Sequence, residues 1–121
     1  FALNSSVVVF SSVAASVGMP YHSSISLCKS AIEGLTRALA AEWSPTVRVN
    51  CIAPSVIKTK LAKRLFRTDD QIESMENRHP LKKVGHPKNI SDAIQFLLSD
   101  KSSWMTGQVM HIDGGLSTIK K

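Results

Sequence analysis

Two cysteines, one tyrosine, six glycines and five prolines are all that 121 residues hold of those types, and aromatic residues make up only 6%. Each shortage excludes something. Cys28 sits in a helical pattern and Cys51 in an apolar run; together they offer neither a disulfide framework nor the paired spacing of a metal site. A reducing, cytoplasmic setting is therefore the default. So little glycine and proline rules out collagen-like and low-complexity chains. No apolar stretch approaches the roughly 20 residues that span a bilayer. The opening at Phe1, with no Met, basic leader or long apolar core, is not a secretory signal and reads as the interior of a longer sequence.

Acidic residues are also in the minority, nine against fifteen basic ones, for a formal charge of +6. That balance permits nucleic-acid or membrane-surface binding without arguing for either. Its location matters more: Lys58, Lys60, Lys63, Arg64 and Arg67 are followed at once by Asp69, Asp70, Glu73 and Glu76. A basic block answered by an acidic one reads as a solvated helical region. With 43% hydrophobic and 20% charged residues the chain is a folded globular one. Its length suits one domain burying roughly 60 to 70% of the unfolded surface, which excludes a two-domain enzyme.

Val7 to Phe10 form a short apolar run bounded by serines, the pattern of a strand covered on both faces in a parallel sheet. From about His22 to Trp43 apolar residues recur at helical spacing, in one stripe through Ile25, Cys28, Ile32, Leu35 and Leu39 and another through Leu27, Ala31, Gly34, Ala38 and Ala41. Two stripes predict a helix held between its own sheet and something else, such as an oligomer partner. His22 or Ser23 is expected to cap it. Val47 to Ile52 make a second strand ended by Pro54, which lacks the N–H to continue a ladder. A βαβ unit follows, parallel and right-handed by rule. Lys58 to Arg67 and Asp69 to His79 read as two short polar helices, with Pro80 breaking the second. A third helix is expected near Asn89 to Leu98 and a third strand at Gln108 to Ile112, stopped by Asp113-Gly114-Gly115.

In order and at fitting intervals, the segments SSVAASVG, HSSISLCKSAIEGLTRALAAEW, VRVNCIAPSVIKT, HPLKKVGHP and MTGQVMHIDGG resemble the carboxyl-terminal half of short-chain dehydrogenases/reductases. The likeness covers nearly the whole chain. It implies an α/β fold, the second half of a doubly wound Rossmann domain, with a parallel three-stranded sheet and flanking helices. The implied activity is hydride transfer between NAD or NADP and a small-molecule carbonyl, alcohol or activated double bond. It further implies a homodimer or homotetramer, with no nucleic-acid or membrane partner. The family's first half carries a Gly-rich turn for the cofactor pyrophosphate at a helix N-terminus. No such turn follows any strand here, so residues 1–121 are expected to be a partial domain without the dinucleotide-binding half, leaving a strand edge open.

The resemblance also assigns roles. Ser12 matches the serine that hydrogen-bonds the substrate oxygen. Lys29, seventeen residues on, matches the lysine that binds the nicotinamide ribose and lowers the pKa of a tyrosine one turn earlier. By the residues alone, Ser12 could simply finish a strand, and Lys29, Glu33 and Arg37 could form a charge ladder on an exposed helix face. At the tyrosine position stands Ile25, which has no proton to exchange. Tyr21, the chain's single tyrosine, and its neighbour His22 are substitute donors to consider, against a bland role in loop packing. Enoyl and dienoyl reductases, similar to this family, also lack that tyrosine, but the dienoyl reductase tyrosine corresponds to Ala14.

Pro54, Ser55, Ile57 and Thr59 match the Pro-Gly-x-x-x-Thr turn that contacts the nicotinamide amide, with Ser55 in place of glycine. A serine fits there only if its backbone avoids positive φ. Thr59 can equally be a helix cap. The lysine-rich run falls where the family places its substrate lid, and a phosphate-bearing acyl carrier would suit its charge. His79, His86 and His111 show no metal spacing and read as structural. Two rival readings stand beside the oxidoreductase: a non-catalytic relative serving binding or assembly, and a basic nucleic-acid-binding module.

Overall fold

The computed structural model describes residues 2–120. Three parallel strands, β1 (Ser5–Phe10), β2 (Val47–Pro54) and β3 (Val109–Ile112), form one sheet in that spatial order. Helix α1 (Ser23–Trp43) links β1 to β2; α2 (Asp69–Asn77) and α3 (Pro87–Leu98) lie between β2 and β3. The expected α/β order with a parallel three-stranded sheet is present. Short 3₁₀ turns at Val13–Ala15, Lys63–Phe66 and Asp100–Ser102 complete it. Of the expected helix over 58–67 only the second of these turns exists, and all five basic residues of the stretch are exposed.

β2 is the central strand, with Val47, Val49, Asn50, Cys51, Ile52 and Ala53 buried. Successive side chains alternate between faces, so Val7, Val47 and Val49 meet Leu39, Ala40 and Trp43 of α1. Ser6 and Arg48 turn the other way, and both donate to the Leu97 carbonyl at the end of α3, at 2.7 and 3.2 Å. Helices thus cover both faces. Each fully buried apolar side chain such as Val49, Ile52 or Leu97 contributes about 1.5–3 kcal/mol. Arg48 fastens the second layer further: its guanidinium also donates to the carbonyls of Ser99, Ser102 and Met105 and to the Ser102 hydroxyl. It thereby adds charged donors to carbonyls that the Ser102 and Met105 N–H groups and the Asn50 amide also reach.

β1 pairs only with β2, so one of its hydrogen-bonding edges is open, while α1 packs on one of its faces through Val7 and α3 is reached from the other through Ser6; its residues are half-buried and it ends in an exposed Phe10. One expectation is corrected. The buried face of α1 is set by Thr36 and Ala40, not by the stripe from Ile25 to Leu39: Ile25 and Leu35 are exposed, as is Leu27 of the second stripe. Thr36 is admitted to the core because its hydroxyl donates to the Ile32 carbonyl one turn back at 2.7 Å. His22 is the N-cap of α1 but makes no capping bond with its side chain. His86 caps α3, accepting from the Lys88 N–H in a reciprocal box with Asn89. Among the described residues no helix is long and apolar enough to cross a membrane.

Candidate active site

The carboxyl ends of β1 and β2 stand level, since Phe10 pairs with Ile52 and the Ser11 N–H bonds the Ile52 carbonyl at 2.8 Å. Open parallel sheets bind their ligands at this end. Just past it, Ser12 starts the 3₁₀ turn, its hydroxyl oxygen accepting from the Ala14 N–H at 3.2 Å. That contact uses a lone pair and leaves the hydroxyl hydrogen free to donate.

Lys29 comes to the same place from α1. Its ammonium donates to the Phe10 carbonyl at 3.1 Å, two residues before Ser12, while its own carbonyl accepts from the Ser11 hydroxyl at 3.3 Å. Among the described residues the alternative reading, a charge ladder of Lys29, Glu33 and Arg37, is not formed. Glu33 instead accepts from Ser11 at 2.6 Å, and the one ion pair among the described residues is Lys88 with Asp92. Two α1 residues thus grip the end of β1. Ser11, buried between them, is a residue that sequence reading missed; only its adjacency to Ser12 marked it.

Ile25 is exposed at the start of α1. Tyr21 is fully exposed, at φ 62°, so its ring stands in solvent and not beside Ser12 and Lys29. His22 is tied to its own loop, with Nδ1 2.7 Å from the Pro20 carbonyl.

After β2, Pro54 faces Ile112 of β3 and the Ser55 N–H bonds the Ile112 carbonyl at 3.2 Å. Non-glycine residues at positive φ are Asn4, Tyr21 and Lys82, so Ser55 takes the place of glycine without backbone strain. Its hydroxyl lies 2.8 Å from Nε2 of buried His79. Ile57 forms an isolated bridge with Gly85, and a Cβ there would lie 2.4 Å from the tip of the Ile57 side chain, which would have to swing aside. Thr59 caps the following turn, accepting from the Ala62 N–H at 3.3 Å. Ser55, Ile57 and Thr59 line a groove of about 380 Å³ together with Leu61, Arg64 and Leu65. The groove has apolar walls and one cation.

Beside it, Asp113 is buried, accepting from the Gly115 and Ser117 N–H groups at 2.9 and 3.0 Å and from the Ser117 hydroxyl. Burial pushes its pKa up, but the Ser117 hydroxyl and the two amides outweigh that and hold the carboxyl below its ordinary value. Among the described residues no three His, Cys, Asp or Glu gather into a metal site.

A family model described as enoyl-(acyl carrier protein) reductase matches residues 1–117. A tropinone reductase homolog of Arabidopsis thaliana is 42% identical over 113 residues, which is 93% of this chain and 43% of the relative. The human dehydrogenase/reductase SDR family member 4 is 37% identical over 111 residues, 91% of this chain and 40% of its own length. The chain belongs to the short-chain dehydrogenase/reductase family. A family structure, 4-hydroxyisoleucine dehydrogenase complexed with NADH, superposes with a TM-score of 0.90 at 31% identity, over 95% of this chain and 48% of that one. This short-chain dehydrogenase/reductase chain thus spans about two fifths to one half of the relatives it matches. Its three strands and flanking helices are part of the family's Rossmann fold.

Proposed function

We propose that residues 1–121 are the carboxyl-terminal half of a Rossmann domain, and supply the substrate side and nicotinamide side of an NAD- or NADP-dependent oxidoreductase acting on a carbonyl, alcohol or activated double bond. One observation carries this reading: the Lys29 ammonium is anchored at the carboxyl end of β1, on the Phe10 carbonyl two residues before Ser12, where Phe10 pairs with Ile52 of β2. Hydride chemistry needs a hydrogen-bond donor and a positive charge at the reacting oxygen. Ser12 has a free hydroxyl hydrogen, and Lys29 has the charge.

The residues present fit the nicotinamide end of the cofactor. Lys29 is a donor for a ribose hydroxyl, and the Pro54–Thr59 loop, fixed by the Ile57–Gly85 bridge, lines a groove that could receive an amide. When bound, a nicotinamide carries the hydride. Ser12 orients and polarises the substrate oxygen, and Lys29 stabilises negative charge on it. Ile25 supplies no proton, and Tyr21 would have to fold in from solvent to do so.

The proposal includes a homodimer or homotetramer, supported by the uncovered face of α1 with Leu27 and Leu35, and a cytoplasmic setting, supported by the two free thiols. Titrating the full-length protein, with its dinucleotide-binding half, with NADH and NADPH, then adding a panel of ketones and enoyl thioesters, tests the whole. Saturable cofactor binding and substrate-dependent oxidation are expected. Binding of neither cofactor would end the proposal, whereas binding without turnover would favour a non-catalytic relative.

A further inference from the structure

We propose that Ser55 and His79 form an acyl-accepting dyad, a second chemistry independent of hydride transfer, acting on short-chain esters. The Ser55 hydroxyl lies 2.8 Å from His79 Nε2, and His79 Nδ1 lies 2.7 Å from the Met75 carbonyl. A carbonyl only accepts, so in the neutral imidazole Nδ1 carries the ring proton and Nε2 presents its lone pair to the hydroxyl, which donates. This is the polarity that lets an imidazole remove the proton from a serine nucleophile, with a third group orienting the ring. Here a backbone carbonyl is that third group. The ring is 3% exposed and packs against Gly114, where a Cβ would lie 3.4 Å from the His79 Cβ and 3.5 Å from Cδ2. It is therefore held in one orientation.

Both residues border a cavity of about 180 Å³ with Val84 and Ile112 among its apolar walls; Lys83, Asn89 and Asp113, whose carboxylate is already held by Gly115 and Ser117, also line it. Ser55 also borders the larger groove described above, so a reagent can reach it from outside. Asn89 uses Oδ1 to accept from the His86 N–H at 2.8 Å, so its NH₂ is the end left to donate. That NH₂ and the Lys83 ammonium are the donors that would meet an oxyanion. The cavity is smaller than the ~300 Å³ at which drug-sized pockets begin. An acetyl or propionyl ester is the class of substrate it suits. Ser55 stands where the resemblance places glycine, so the nucleophile is this chain's own.

In the step, Ser55 Oγ bonds to the ester carbonyl carbon as its proton passes to His79 Nε2. The tetrahedral adduct collapses, the carbon–oxygen bond to the leaving alcohol breaks, and His79 returns the proton to that alcohol. Water, deprotonated by His79, then attacks acyl-Ser55 and releases the carboxylic acid, restoring both residues.

The test is to incubate the purified protein with p-nitrophenyl acetate, follow p-nitrophenolate release and map acetyl groups by peptide mass spectrometry. Acetyl on Ser55 is expected, with its formation slowed about a hundredfold or more in His79→Gln, the scale of a lost general base. Ser55→Gly should abolish the burst. Acetyl on lysines alone, or a His79→Gln rate equal to that of the unsubstituted protein, overturns the proposal. Circular dichroism checks each variant. Should His79→Gln fail to fold, Ser55→Gly decides: a burst that survives this change overturns the proposal, and its loss in a folded protein supports it. Cofactor titration reads the oxidoreductase proposal separately.

Discussion

The Lys29 ammonium rests on the Phe10 carbonyl at 3.1 Å, although Glu33 stands one helical turn away on the same helix. An exposed pair of that kind contributes less than about 1 kcal/mol. Docking at the strand end brings the charge to the position where a ligand would need it. Lys29→Met removes the charge and keeps much of the stem. If Lys29 holds a ribose hydroxyl, the loss of a charged hydrogen bond, about 1.5–3 kcal/mol, corresponds to roughly ten- to hundredfold weaker NAD(P)H binding by fluorescence titration. Unchanged affinity would remove Lys29 from the cofactor site.

Ile25→Tyr places a phenol one turn before Lys29, where the family carries its proton donor. A positioned general acid contributes about 10²–10⁴-fold. Carbonyl reduction should appear, or rise by at least the lower figure, with circular dichroism and cofactor affinity unaltered. Because Ile25 is exposed, the change costs little packing. A flat rate would show that Ser12 and Lys29 do not share a reacting centre.

Asp113 makes stability depend on pH. Its folded pKa lies below the ordinary carboxylate value of about 4. Such a group contributes its full stability above the unfolded value and loses it as pH falls through the folded one. Asp113→Ala also leaves the Ser117 hydroxyl and the Gly115 and Ser117 N–H groups without their acceptor. Denaturant unfolding should show a loss of about 2 kcal/mol at neutral pH, shrinking below pH ~4 as the unsubstituted protein protonates. A difference constant across that range would contradict the assignment.

The two thiols should separate cleanly. Cys28 is exposed, whereas Cys51 is fully buried, and burial pushes its thiol above the ordinary value. Thiolate is the reactive form. A disulfide reagent should therefore titrate one thiol per native chain and two after denaturation. Two fast thiols in the native protein would mean that β2 is not central.

Much of this was legible in residue order. The run at Val7–Phe10, the helical spacing up to Trp43, the alternation through Val47–Cys51 and the stop at Asp113-Gly114-Gly115 each reported an element, because those signals arise from neighbours along the chain. Ser12 and Lys29 were legible as candidates, through their spacing within a recognisable pattern of motifs, and both lie at the carboxyl end of β1. The face of α1 that meets the sheet was not. Both stripes were apolar enough, and the choice fell to Thr36 and Ala40, whose small volume lets the helix approach Val47 and Val49.

Sequence by itself determined which segments become strands and helices and which residue types are available at the sheet's carboxyl end. Tertiary structure alone decided their partners: Lys29 with the Phe10 carbonyl, Glu33 with Ser11, Arg48 with the carbonyls beyond α3, and Ser55 with His79. The reason is physical. Periodicity is a local property, while a buried donor takes whichever acceptor packing brings within reach, and for Arg48 that acceptor lies about fifty residues along the chain.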